Sequence, residues 1–500
     1  MDYSDYSLYW GDIHNHNALG YARGSLERSI DIAREHLDFF AFTGHSQWPD
    51  MPTMPGERHM KWVNGFEALR QNWPNVRQLT SEANAPGEFV TILGYEFHSS
   101  EWGDYCLYYP GDDGELYCAD TLADLQAHAR THGCLLIPHH LAYPLGWRGI
   151  NWDTFDPSLA PVVEIYSEHG GSERDRGLFP MIRHSCGGRT TDGTAQAALA
   201  RGLRVGFIAS TDDHLGYPGA YGEGIAAVYA EKLSREAILA AIWHRRTYAV
   251  TGDRIRVELS LNGEVMGSEV AASGTRHIEA RVEGWDEIDS VEVVKNGRVM
   301  ARGFADPPPA TQWPERMKCR IEWGWGPWAD LAMERIVDWE MSLEVDGAEL
   351  LAMMPCFQSG PFEPERRNKV LEMTPTRCRW RSYTSRQQAF AEQATNALVF
   401  EIAGSPDARL ELRITQPAER AISRTLGQLM ERSAAEFTGG FTSESVLVHR
   451  LVPMELYETS LALDDEPSGD GGTDYYYLRV RQANGHMAWS SPIWAVGSGQ

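Results

Sequence analysis

Between residues 9 and 214, almost every short apolar run in this chain ends in histidine, aspartate or glutamate. "LYWGDI" leads into His14 and His16. "FFAFTG" leads into His45. "TILGY" leads into Glu96 and His98, and "CLLIP" into His139 and His140. "PVVEIYSE" contains Glu164 and leads to His169. "GFIASTD" brings in Asp212, Asp213 and His214. Short apolar runs of this kind suit buried strands. If the strands are parallel, their C-terminal ends emerge on one face, and residues 200 positions apart converge there. The fold must then build one polar centre from many strand ends.

The spacing within the runs supports that reading. Side chains at i and i+2 point to the same side of a strand. His14 and His16 can therefore face one ion, and Asp212 and His214 repeat the spacing. Imidazole with carboxylate suits zinc, iron or manganese. A carboxylate such as Glu96 can bridge two ions roughly 3.5–4 Å apart.

Helical patterns lie between the runs. "SLERSIDIAREHLD" (25–38) has Ser25 as its N-cap. "DTLADLQAHARTHG" (120–133) starts at a capping Asp120 and stops at Gly133. Residues 194–204 and 234–246 are two more. The alternation predicts an α/β domain, a barrel or barrel-like one, over residues 1–250. Residues 251–500 read differently. "RIRVELSLNG", "SVEVVKNGRVM", "ARLELRIT" and "YYYLRVRQANG" alternate as strands, several closing on Asn-Gly turns. This half is expected to be mostly antiparallel β and sandwich-like, with "ADPPPATQWP" (305–314) as a connection and "EPSGDGGTD" (466–474) as a flexible loop. Histidine follows the same division: 14 of 17 precede residue 250.

Charge narrows the partners. A net charge of −25 argues against nucleic acid or an anionic membrane. A small-molecule substrate is expected instead, with self-association into a homo-oligomer left open. No run of about 18 apolar residues is present, so no transmembrane span is expected. The opening "MDYSDYSLYWGDIH" has no basic or apolar leader pattern, which makes the cytoplasm the expected location. Seven cysteines with no C-x-x-C spacing argue against a disulfide framework or a zinc ribbon, and most read as buried small hydrophobes.

Taken together, His14-Asn15-His16, "TGH" at 43–45, Glu96, "PHH" at 138–140 and "STDDH" at 210–214 resemble, in order, the motifs of the PHP (polymerase and histidinol phosphatase) superfamily. "GYEFHSSEWGDY", "VEIYSEHGGSE", "TYAVTGDRI" and "AWSSPIWA" are similar to a poorly characterised branch with a C-terminal β domain. The resemblance spans roughly residues 8–250. It implies a distorted (β/α)7 TIM-like barrel with two or three divalent metal ions (Zn, Mn or Fe). By position, His14, His16, Glu96 and Asp212 would bind a first ion. Glu96 would bridge to a second, bound by His139, and His45 and His214 would bind a third. The chain departs from the pattern at Gly44, where the family has aspartate. Ala22 stands where a further histidine is usual, and Asp104 and Tyr105 replace another. His140, His98, Glu164 or His169 could substitute.

The implied activity is metal-dependent hydrolysis, foremost of a phosphoester. Glu96 would hold the metals, and His214 or His169 would protonate the leaving group. Arg23, Arg148 and His98 are the expected substrate contacts. Cations are scarce: only Lys61 and Lys232 are lysines before residue 250. Aromatic residues are plentiful in the loops, at Tyr21, Trp48, Trp102, Tyr143, Trp147 and Trp152. They support a second reading, hydrolysis of a carbon-centred bond (amide, ester or C–C) in an aromatic substrate. A third is a non-catalytic, metal-stabilised binding protein. "EWGWGPW" (322–328) is expected to pack the β domain against its neighbour.

Overall fold

The computed structural model describes residues 3–182, 186–271, 274–306, 312–326, 336–359, 366–385, 395–468 and 472–497. Parts of the expected 305–314 connection and 466–474 loop, and Pro327 and Trp328, lie outside them.

The first half runs β1 (Ser7–Asp12), α1 (Leu26–His36), β2 (Phe39–Phe40), β3 (His45–Gln47), α2 (Arg58–Ala83), β4 (Val90–Thr91), β5 (Gly94–Phe97), β6 (Tyr105–Tyr108), α3 (Leu122–His132) and β7 (Leu135–Pro138). It continues with β8 (Val162–Ser167), β9 (Gly170–Gly171), α4 (Ala195–Ala200), β10 (Gly206–Ala209), β11 (Ile225–Ala230), α5 (Arg235–Trp243) and β12 (Thr247–Val250). The short strands are fully buried, as their apolar runs require.

Helix ends follow local chemistry. Ser25 caps α1, its Oγ accepting the Arg28 N–H at 3.2 Å. Ser234 caps α5 in the same way. α3 is capped by Thr121 rather than Asp120, in a capping box with Asp124, and ends on Gly133 at φ 66°. Ser25→Ala is expected to lower stability by about 1 kcal/mol, read as a shift in the urea midpoint, with the site unaffected.

The strands are parallel in the pairs β1/β2, β2/β4, β3/β5 and β8/β10. They are antiparallel in β5/β6, β6/β7, β1/β11 and β11/β12. The architecture is thus mixed α/β, dominated by sheet, with seven α-helices among the described residues. The expected TIM-like (β/α)7 barrel is not shown: the strands of this half fall into three hydrogen-bonded sheets of mixed direction. Loop length gives one reason. Only residues 98–104 join β5 to β6, too few for a parallel crossover, which takes a dozen or more.

The sheet containing β1 continues past residue 250. β12 pairs with Met487–Ser490, which pairs with Asp474–Gln482. The two sides of position 250 therefore share hydrogen bonds. Pairing in the second half is almost entirely antiparallel, as expected, with Glu269–Ala271 against Ile493–Val496 as a parallel exception. The inward residues of Arg256–Leu261, Arg276–Glu283 and Asp474–Gln482 join the apolar core of the first half. Strands between residues 317 and 453 form a nine-stranded sheet whose core, built around Trp323, Trp339 and Trp380, also takes in Ile32, Tyr217 and Ala220 of the first half. Trp323 is buried there, its Nε1 donating to Ser382 at 3.1 Å.

Candidate metal centre

Strand geometry brings the histidines together. Beyond β1 the chain runs between two neighbouring segments, with Asn15 bridging to Asp213. Asp212 N–H donates to His14 O at 2.7 Å, His16 N–H to Asp213 O at 2.9 Å, and Thr43 N–H to Asn15 O at 3.1 Å. His14 and His16 then face one side. Asn15 faces away, its Nδ2 donating to Ala41 O at 2.8 Å. Asp12, fully buried, clamps the opposite segment by accepting from the Thr211 hydroxyl at 2.6 Å and the Gly219 N–H at 2.9 Å.

Glu96 is the centre of the cluster. Its carboxylate lies 3.2 Å from His45 Nε2, 3.4 Å from His16 Nε2, 3.0 Å from His139 Nε2, 3.3 Å from His98 Nδ1 and 3.9 Å from His14 Nε2. Asp212 makes the second hub. It is 2.9 Å from His16 Nε2, 3.2 Å from His14 Nε2 and 3.2 Å from His169 Nε2. Overlapping groups, including His16–His45–His214, His14–His16–Glu96 and Glu96–Asp104–His139–His140, have donor atoms within 4.8 Å of one another. Asp212 at φ 56° and His140 at φ 32° hold left-handed backbone, a strain that clusters at functional sites.

The electrostatics suit cation binding. Burial works to raise Glu96, yet His98, His45 and His139 hold its carboxyl well below the usual range. Burial also opposes ionisation of Asp212, which His14 and His169 overcome. Burial pushes His16 down to about 4 and His139 down to about 3, leaving both neutral, the form that binds metals. His14 Nε2, His45 Nδ1, His98 Nε2, Glu96 Oε2 and both ring nitrogens of His139 and His140 are buried without a hydrogen bond. Each such atom costs about 1–3 kcal/mol, and native proteins keep few. A metal ion among them would satisfy what the protein alone does not, so the residues fit the group.

The outer contacts orient the imidazoles. Glu164 lies 3.1 Å from His14 Nδ1. Glu168 takes the Nδ1 of His214 at 3.0 Å and Tyr143 Oη the Nδ1 of His169 at 2.7 Å. Burial works against charge on His214, but the Glu168 bond raises it to about 9.

A cavity of about 660 Å³ opens onto this cluster, reaching His45, Glu96, His169, Asp212 and His214. Arg23, Arg58 and Lys61 line it, with Trp48, Trp62 and Tyr21 as an aromatic wall. Arg58 and Lys61 come from the first turn of α2. Gly65, one turn on, lets the helix approach: a Cβ there would meet Gly20 O at 3.0 Å. Of the expected substrate contacts, Arg23 and Arg148 line the cavity and His98 does not. His98 is fully buried and is not among the lining residues; it meets Glu96 and Asp104. Arg148 reaches the cavity, but its guanidinium is held by Asp104 and lies 5.3 Å over the Trp48 ring, with 11% of the side chain exposed. Glu164 stands among the substitutes the sequence offers, whereas Asp104, Glu168, Arg58 and Lys61 are not among the expected ligands or contacts.

Comparison with known proteins adds little chemistry. A family of unknown function, DUF3604, matches residues 220–275, a stretch outside the histidine cluster. An uncharacterised protein of Chlamydia trachomatis is 29% identical over 324 residues, covering 59% of this chain and 48% of the relative. One of Chlamydia muridarum is 28% identical over 60% of this chain and 49% of its own length. The chain thus spans about half the length of the curated relatives it matches. A solved two-domain protein from Bacteroides vulgatus, containing a predicted PHP-like metal-dependent phosphoesterase, aligns over 85% of this chain and 97% of that one, at 12% identity and a TM-score of 0.32. No helix among the described residues is long and apolar enough to cross a membrane.

Proposed function

We propose that the chain is a metal-dependent hydrolase acting on phosphoesters. The observation that carries this is one cavity with two linings: the imidazole–carboxylate cluster on its floor, and Arg23, Arg58 and Lys61 on its walls. Cations beside a metal centre match a phosphoryl group, whose oxygens spread negative charge. Bound divalent ions would polarise the scissile group and generate a nucleophile from water at neutral pH. His14, His16, Glu96, Asp212, His139 and His45 are the residues that would hold them, with Asp104 and His140 beside the second position.

The remaining work falls to side chains of this chain. Arg58 and Lys61 stand one turn apart in the first turn of α2, both lining the cavity. They would bind and orient the phosphoryl oxygens. His214 is the most open imidazole of the cluster, at 22% side-chain exposure. Glu168 fixes its Nδ1, and His214 is the residue from which a leaving group would take its proton. Arg148, tied to Asp104, would brace the wall.

Arg58→Ala and Lys61→Ala are each expected to raise KM for a generic aryl phosphate about 10- to 100-fold, with bound metal unchanged. The aromatic wall, where Tyr21 stacks on Trp62 at 4.3 Å, favours hydrolysis of an aromatic amide or ester as the second reading. Metal-loaded protein assayed on matched aryl phosphate, ester and amide separates them. Turnover of the amide or ester alone would sink the phosphoester reading, and no turnover by fully loaded protein would favour a binding role.

A further inference from the structure

The metal cluster has a donor that neither the spacing of the motifs nor the expected ligand set includes. Cys106 sits in the middle of β6. Its Sγ, a ring nitrogen of His14 and one of His139 lie within 4.8 Å of one another, and all three residues are buried. We propose that Cys106 is a thiolate ligand of the metal centre, completing a His14–Cys106–His139 position on its inner side.

Register explains why this thiol points inward. Cys106 pairs directly with Glu96 across β5/β6 and with Ile137 across β6/β7. Directly paired residues share a face of a sheet, and so do residues two apart in one strand. Cys106 therefore shares a face with Glu96. His139, two beyond Ile137, lies just past the end of β7 on that side. Four other cysteines, Cys134, Cys319, Cys356 and Cys378, are equally buried but belong to none of the groups named here. Burial alone does not single out Cys106; its neighbours do.

The second observation is on the histidines. His139 is 1% exposed; its Nε2 lies 3.0 Å from the Glu96 carboxylate, and its Nδ1 is buried without a hydrogen bond. His14 turns its Nε2 to the Asp212 carboxylate, 3.2 Å away, and its Nδ1 to Glu164. An imidazole held this way on one nitrogen presents the other to an ion. The apolar residues around Cys106, including Ile13, Tyr108 and Ile137, keep that side of the position dry. Binding exchanges the S–H bond for a sulfur–metal bond, and the proton leaves to water. A thiolate among imidazoles selects zinc, iron or cobalt over magnesium or manganese.

The inference rests on the metal-centre part of the proposed function and not on the phosphoester. The test is reconstitution of chelator-stripped protein with Co²⁺, followed by near-ultraviolet absorption and cobalt content. The wild type is expected to show an intense thiolate-to-cobalt charge-transfer band. Cys106→Ser should lose the band and bind cobalt at least about tenfold more weakly. Cys106→Val, which suits the apolar surroundings, should lose it too and guards against a folding defect in the serine variant. Full cobalt content without the band, or a band that persists in both variants, overturns the thiolate. Failure of the wild type to retain cobalt overturns the metal centre together with it. A band in protein that hydrolyses no phosphoester supports the thiolate and removes only the activity.

Discussion

Glu96→Gln is expected to strip the centre of metal and to lower turnover of an aryl phosphate by at least about 10³-fold, the scale of losing a group that acts on developing charge. The reason is its position. Five imidazoles, from His14, His16, His45, His98 and His139, lie within 3.9 Å of its carboxylate. Glutamine keeps the shape but supplies no charge, so ions held there would lose an anionic ligand. Stability offers an independent reading. A ligand that binds only the folded state stabilises it by about 4 kcal/mol at 1,000 times its Kd. Wild-type protein titrated with Zn²⁺ should gain on that order, and Glu96→Gln little or nothing. A variant with full metal content and full rate would remove Glu96 from the centre.

The part of this site that could be read in the sequence follows one rule, that a ligand comes after a buried run. The rule locates His14, His16, His45, Glu96, His139 and Asp212 because β1, β2, β5, β7 and β10 approach the cluster from the same end. It fails for Asp104 because β6 runs the other way. In an antiparallel strand the near end is the start, so the ligand precedes the run, as in "D-YCLYY". Reading the pattern in both directions would have found Asp104. Helix α2 was missed for another reason. Trp62, Phe66, Leu69, Trp73, Val76 and Ala83 recur at helical spacing on its buried face, but Gly65 and Pro74 interrupt the window. With α2 went Arg58 and Lys61, and hence the cationic wall. The barrel expectation came from strand–helix alternation, which is silent on the direction of short links. Sequence alternation correctly gave the antiparallel second half but not its return to β12, because pairing across 240 residues leaves no local signal.

That return makes the second large effect a test of stability. Arg479→Met is expected to lower the unfolding free energy by about 3–5 kcal/mol. Arg479 lies in Asp474–Gln482, opposite Glu292 in the neighbouring strand. Its guanidinium donates to Glu292 and also to Glu173, just beyond β9, so one side chain ties the second half to the first. Tyr477 Oη donates to the same Glu173 and accepts from Gln196 in α4 at 2.7 Å. Arg479 and Glu173 are 4% and 5% exposed, so removing the arginine leaves a carboxylate that water cannot easily reach. The cost comes from that buried charge, left with only the half-exposed Arg174 3.6 Å away as a cationic neighbour, more than from the lost contact, which gives a check. Glu173→Gln in the Arg479→Met background should recover much of the loss, because no buried charge is then left alone. Arg481→Met, two residues along and 46% exposed beside Asp289, should cost within about 0.5 kcal/mol. Metal content should be unchanged throughout, since Arg479 touches no member of the cluster. Urea unfolding of the four proteins, followed by intrinsic tryptophan fluorescence, measures the differences; equal losses from Arg479→Met and Arg481→Met would show that the tie contributes nothing.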